Sequence, residues 1–157
     1  MGSARGGPRS RAVVREDQRL VVELGEWGPS YGFQPQWDDR ARTEPYFEPF
    51  SMEAVGAVIR PAALLRALRP TVRLSLYADR RIDLSPKGQV PKAIGSYQVN
   101  KGEIAASVYV PFDSFTALGP WALAGRLGWA TLVLSYPEHQ RGYVQHLDLD
   151  AACYPDD

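Results

Sequence analysis

The sequence predicts one α+β domain, a mostly antiparallel sheet with two short helices, built from two β-α-β-β units. Three observations point there. Stretches of apolar/polar alternation recur along the chain, and short Leu-bearing segments with helical spacing separate them. The order of the two kinds then repeats, with strand starts about 51 residues apart.

Residues 1–12 are rich in Gly, Ser, Pro and Arg without periodicity, which predicts a disordered basic arm ahead of a domain over 13–157. The first strand runs from Gln18 to Leu24, where Leu20, Val22 and Leu24 alternate with Val21 and Glu23. From Gly25 to Phe50 the pattern stops. Gly and Pro punctuate a run of seven aromatics, which reads either as irregular edge strands or as a functional loop.

The first repeat unit covers about 52–85. Met52 to Ile59 reads as a strand, and Pro61 opens a helix in which Leu64, Leu65 and Leu68 share a face until Pro70. Val72, Leu74, Leu76 and Ala78 then alternate with Arg73, Ser75, Tyr77 and Asp79, and a turn leads to a hairpin partner at Ile82 and Leu84. A hairpin strand, Ala93 to Val99, turns at Asn100-Lys101-Gly102-Glu103 into the second unit, about 104–149. There Ile104 to Val110 is a strand. Asp113 caps a helical turn bearing Phe115 and Leu118, which Gly119-Pro120 breaks. Leu127 to Tyr136 and Tyr143 to Leu149 complete the unit. On the last strand Val144, His146, Asp148 and Asp150 are expected on one face.

Composition limits the function classes. Leu, Ile, Val and Phe supply 37 of 157 residues, enough for a packed core, and Cys153 has no partner for a disulfide. The net charge is zero, but it is arranged in blocks: +4 over 1–15, −5 over 16–50, +5 over 51–92 and −4 over 93–157. Such blocks indicate local charged faces rather than bulk attraction to nucleic acid or membrane. The apolar stretch Leu118 to Tyr136 holds Arg126 near its middle with Gly and Pro breakers, so it reads as helix, turn and strand rather than a membrane span. With no secretory h-region near the start, the expected location is cytoplasmic.

No phosphate-binding glycine loop, nucleophile elbow, zinc-protease motif or cysteine pair is present. Two surfaces remain. Trp27, Tyr31, Phe33 and Trp37 form a candidate stacking platform, in a segment whose Asp38, Asp39, Glu44 and Glu48 favour a basic protein partner. Arg73, Arg80 and Arg81 form a candidate basic hairpin, with Lys87 and Lys92 beyond it. The resulting expectation is a small non-enzymatic interaction protein of bacterial accessory type, without cofactor or metal, that binds a macromolecule, foremost a protein. Two alternatives stay open. One is a nucleic-acid-binding accessory protein using the Arg arm and hairpin. The other is a small metal-dependent enzyme using His139, His146, Asp148 and Asp150.

Overall fold

The structure, a computed structural model, describes residues 17–36, 46–61, 70–80, 82 and 91–152. The expected arm, the helix after Pro61 and Cys153 lie outside the described residues.

Among the described residues, ten strands and one helix follow in order: β1 (Gln18–Leu24), β2 (Gly28–Tyr31), β3 (Gln34–Pro35), β4 (Tyr46–Phe47), β5 (Phe50–Arg60), β6 (Thr71–Asp79), β7 (Gly95–Asn100), β8 (Glu103–Pro111), α1 (Phe112–Leu123), β9 (Trp129–Leu134) and β10 (Arg141–Asp150). The long strands fall where alternation places them. Their arrangement does not match the expected open α+β sheet. The neighbour order β1-β9-β10-β7-β8-β6-β5 returns to β1 through the β1–β5 pairing, so seven strands close into a barrel. Every pairing in the ring is antiparallel except β6 with β8.

Closure follows from what the inward residues can fill. Leu20, Val22, Ala54, Val58, Val72, Leu74, Leu76, Ala106, Val108, Leu132, Leu134 and Val144 are all essentially inaccessible. They come from all the barrel strands but β7, which adds the buried Tyr97. A barrel of about this strand number has an interior that side chains fill, so the centre is core rather than channel. At the seam where β5 meets β1, a Cβ on Gly56 would strike the Glu23 carbonyl oxygen and lie 2.8 Å from Val22 Cγ1. Only glycine lets the two backbones approach closely enough to close the ring.

The two-unit repeat fails on topology. If β8 were equivalent to β5, the strand following it should pair with it as β6 pairs with β5. Instead β9 pairs with β1 and β10, and β8 takes a parallel partner, β6. Both edges of β6 are occupied by β5 and β8, and of the hairpin partner expected at Ile82 and Leu84, Leu84 lies outside the described residues.

The helix also departs from expectation. Pro111, not Asp113, is its N-cap, and Asp113 sits in the first turn, where a carboxylate favours the helix dipole. Gly119-Pro120 does not end it. Pro120 lies in its final turns, and Leu123 is its last residue. Phe115, Leu118 and the buried Ala122 pack it on the core beside β6 and β8. Arg126 then falls between α1 and β9, and no described helix is long and apolar enough to cross a membrane.

A bulge corrects the last strand. The register of β10 against β9 slips between Val144 and His146. The extra residue resets the alternation, so Val144 is buried while Leu147 and Leu149, not His146, follow it against the core. Val144 and His146 therefore face opposite sides of the wall, contrary to the pattern read from sequence.

Candidate functional site

The described parts of the segment after β1 include three short strands, β2, β3 and β4. Trp27 turns inward: it is 6% exposed, and its Nε1 donates to the Leu127 carbonyl oxygen at 2.8 Å. Beside it the Leu24 amide donates to the Gly128 carbonyl oxygen at 2.8 Å, so this corner is bound to the start of β9. Trp27 belongs to the core and not to a contact platform.

β2 continues along β5 beyond the end of β1, with Pro29 opposite Met52 and Tyr31 opposite Phe50. The Gly32 amide donates to the Pro49 carbonyl oxygen, which turns the backbone of Pro29 and Tyr31 toward the outer edge. Pro29 lacks an N–H there, a common guard against edge-to-edge pairing. Gln34–Pro35 and Tyr46–Phe47 form a separate two-stranded sheet.

Large aromatics on and between these strands stand in solvent. Tyr31, Phe33 and Tyr46 are 59%, 63% and 60% exposed. Phe33 stacks on Tyr46 with ring centroids 5.1 Å apart, and Tyr31 tilts against Phe50 at 5.0 Å. Phe50 meets Phe112 of α1 edge-on at 5.9 Å, and the Arg80 guanidinium lies 4.4 Å from the centre of the Phe112 ring. One ledge therefore runs Tyr31–Phe50–Phe112–Arg80, with the Phe33–Tyr46 pair carried on the same excursion of the chain. Tyr31 donates its hydroxyl to Glu48 Oε1 at 2.9 Å, and this bond to a carboxylate raises the Tyr31 pKa above its ordinary range. The ledge is thus aromatic, with the Glu48 carboxylate at its Tyr31 end and the Arg80 guanidinium at its Phe112 end.

The structure joins two surfaces that sequence kept apart, because Tyr31 and Arg80 meet through Phe50 and Phe112. Sequence reasoning missed Phe112 and Tyr46 as members. Phe112 carried a signal in Pro111-Phe112, a strand end running straight into a helix. Trp37 and Arg81 lie outside the described residues.

Arg73 does not join Arg80. Seven residues along a strand separate them, roughly 23 Å at the usual rise. Arg73 projects from the barrel wall between two carboxylates. Its Nη1 is 2.8 Å from Glu53 Oε1, and its Nε is 3.1 Å from Glu103 Oε1. These bonds, Glu103's foremost, raise its pKa. Ser75 adds a hydroxyl bond to Glu53 Oε2 at 3.1 Å.

No protein-family model, curated protein or solved structure matches this chain.

For the metal alternative, His146 Nε2 lies 2.8 Å from Asp148 Oδ2, and both side chains are more than half exposed. His139 sits in the turn before β10, roughly 15 Å or more along the strand from His146. Among the described residues no three His, Cys, Asp or Glu side chains converge.

Proposed function

We propose that this chain is a non-enzymatic binding module that captures a basic protein segment on the ledge formed by Tyr31, Phe33, Tyr46 and Glu48. The observation that carries this reading is the exposure of three aromatics, Tyr31, Phe33 and Tyr46, each about 60% accessible and each against another ring, on and between β2, β3 and β4. Such residues are expensive to leave in water, and contiguous aromatic patches on a soluble surface mark interaction sites. Tyr and Phe supply large contact area at low conformational cost. The partner's chemistry follows from charge: residues 16–50 carry a net −5, and Glu48 lies on the rim. A Lys or Arg beside an apolar residue would meet both ring faces and carboxylates.

The test is a selection of displayed random peptides on the intact chain. Binders should be enriched in Lys or Arg next to apolar residues. The double change Tyr31→Ala with Phe33→Ala should weaken them by at least tenfold while the melting temperature stays within a few degrees. Binders that ignore the double change would refute the assignment.

A further inference from the structure

On the opposite side of the sheet order from β2, the outer wall of β7, β8 and β10 forms a groove of about 800 Å³, within the range of small-molecule sites. Its floor is made of small outward residues, Ser96 and Ser107 directly opposite each other, with Gln98 beside them. Arg141 lies across from Gln98, and Tyr143 lies across from Ser96. His139 closes one end from the β9–β10 turn.

We infer that this groove binds a polar small molecule carrying a phosphate or carboxylate group, with Arg141 as its anchor. The contrast between two arginines on one wall carries the argument. Arg73, in line with Arg141 through Ala105 and Gln98, is held by Glu53 and Glu103. Arg141 makes only backbone bonds, and its guanidinium has no carboxylate partner among the described residues. Glu138, at the same rim, is engaged in an interaction of its own. The hydroxyls of Ser96 and Ser107, the Gln98 amide and the Tyr143 hydroxyl are likewise without side-chain partners among the described residues. A planar guanidinium fork suits an oxyanion, and the polar floor suits a hydrogen-bonding body rather than an apolar one.

The turn that presents His139 supports the reading. Glu138 and Arg141 exchange both backbone hydrogen bonds, at 2.7 and 3.0 Å, around His139 and Gln140. Those two residues have φ of 50° and 64°, the left-handed conformation that two-residue hairpin loops usually give to Asn or Gly. Accepting this conformation at His139 places an imidazole at the mouth of the groove. Strain of this kind clusters at binding sites.

The experiment is an amide-shift NMR titration of the full chain at constant ionic strength with inorganic phosphate, citrate, glucose 6-phosphate and glucose. Both anion classes should perturb Ser96, Gln98, Ser107, Arg141 and Tyr143. If phosphate-bearing probes bind tighter the natural ligand is a phosphate, and if citrate does it is a carboxylate. Glucose 6-phosphate should bind more tightly than inorganic phosphate because its body reaches the floor, and glucose alone should not bind. Arg141→Gln should weaken binding by about tenfold or more, while Arg80→Gln, outside the groove, should leave it unchanged. Binding unaltered by Arg141→Gln, shifts centred elsewhere, or no response beyond that to chloride would each overturn the proposal.

Discussion

Trp27 offers the sharpest separation between an aromatic that builds the fold and aromatics that face a partner. It sits three residues after the buried Leu24, has 6% of its surface exposed, and joins a core cluster that includes Leu127. Truncating a buried Trp to Ala costs about 3–5 kcal/mol, through lost burial and the cavity left behind. Trp27→Phe keeps most of the ring but removes Nε1–H. That strands the Leu127 carbonyl oxygen, a buried acceptor, at about 1–3 kcal/mol. Total stabilities are about 5–15 kcal/mol, so the Ala variant should lose a large share of the fold's margin. Urea unfolding followed by circular dichroism should show midpoints shifted by about 1 M or more for Trp27→Ala and by less for Trp27→Phe. Phe33→Ala, at 63% exposure, should fall within about 0.5 kcal/mol of the parent. A Trp27→Ala protein as stable as Phe33→Ala would show that Trp27 is a surface residue and that the corner between β1 and β9 is not what holds this end of the barrel.

Two further predictions concern the tyrosine inside the barrel. A Cβ on Gly142 would lie 2.7 Å from both Cζ and Oη of Tyr97, whose ring is buried and whose hydroxyl donates to the Ser135 carbonyl oxygen at 2.5 Å. Gly142→Ala should therefore cost about 1–3 kcal/mol by overpacking, read as a lower urea midpoint, and an unchanged midpoint would mean that the ring is free to move. Burial raises the Tyr97 pKa above its ordinary 10.0. The folded state therefore holds the proton more tightly than the unfolded one. That stabilisation is complete below pH 10 and is lost as pH rises through the folded value. Stability of the parent should fall more steeply above pH 10 than that of Tyr97→Phe, and parallel pH profiles would contradict this.

How much of this was legible in the sequence depends on the range of the interaction involved. Alternation is local, so β1, β5, β6, β7, β8, β9 and β10 were placed within a few residues. Pairing is not local. The decisive contact is Gly56 against Glu23, a seam between residues far apart in sequence that looks like any other glycine in a strand. The supposed repeat had real periodicity behind it, but periodicity records which face of a strand is buried, not which strand lies beside it. A closed barrel and two stacked units both bury one face of every strand. The same limit explains His146: the slip after Val144 exchanges faces midway along β10, and nothing in the residue types announces it.

The candidate site was half legible for a related reason. Tyr31 and Phe33 could be suspected because aromatics in a Gly- and Pro-rich segment have no alternating core to join. The same argument misassigned Trp27, which follows β1 closely enough to reach back under the barrel. For charged residues the sequence gives sign but not satisfaction. Arg73 stands in the most basic block of the chain and is matched by carboxylates from β5 and β8, strands on either side of it. Arg141 stands in an acidic block and, among the described residues, has none. Block charge thus pointed to an arginine that carboxylates already hold, because pairing across a barrel wall is set by register, where Glu103 lies two residues from the position opposite Arg73, and not by neighbours in the chain. A guanidinium left unmatched inside an acidic block is the less expected outcome, and it is the one that gives the β7–β8–β10 wall a ligand to look for.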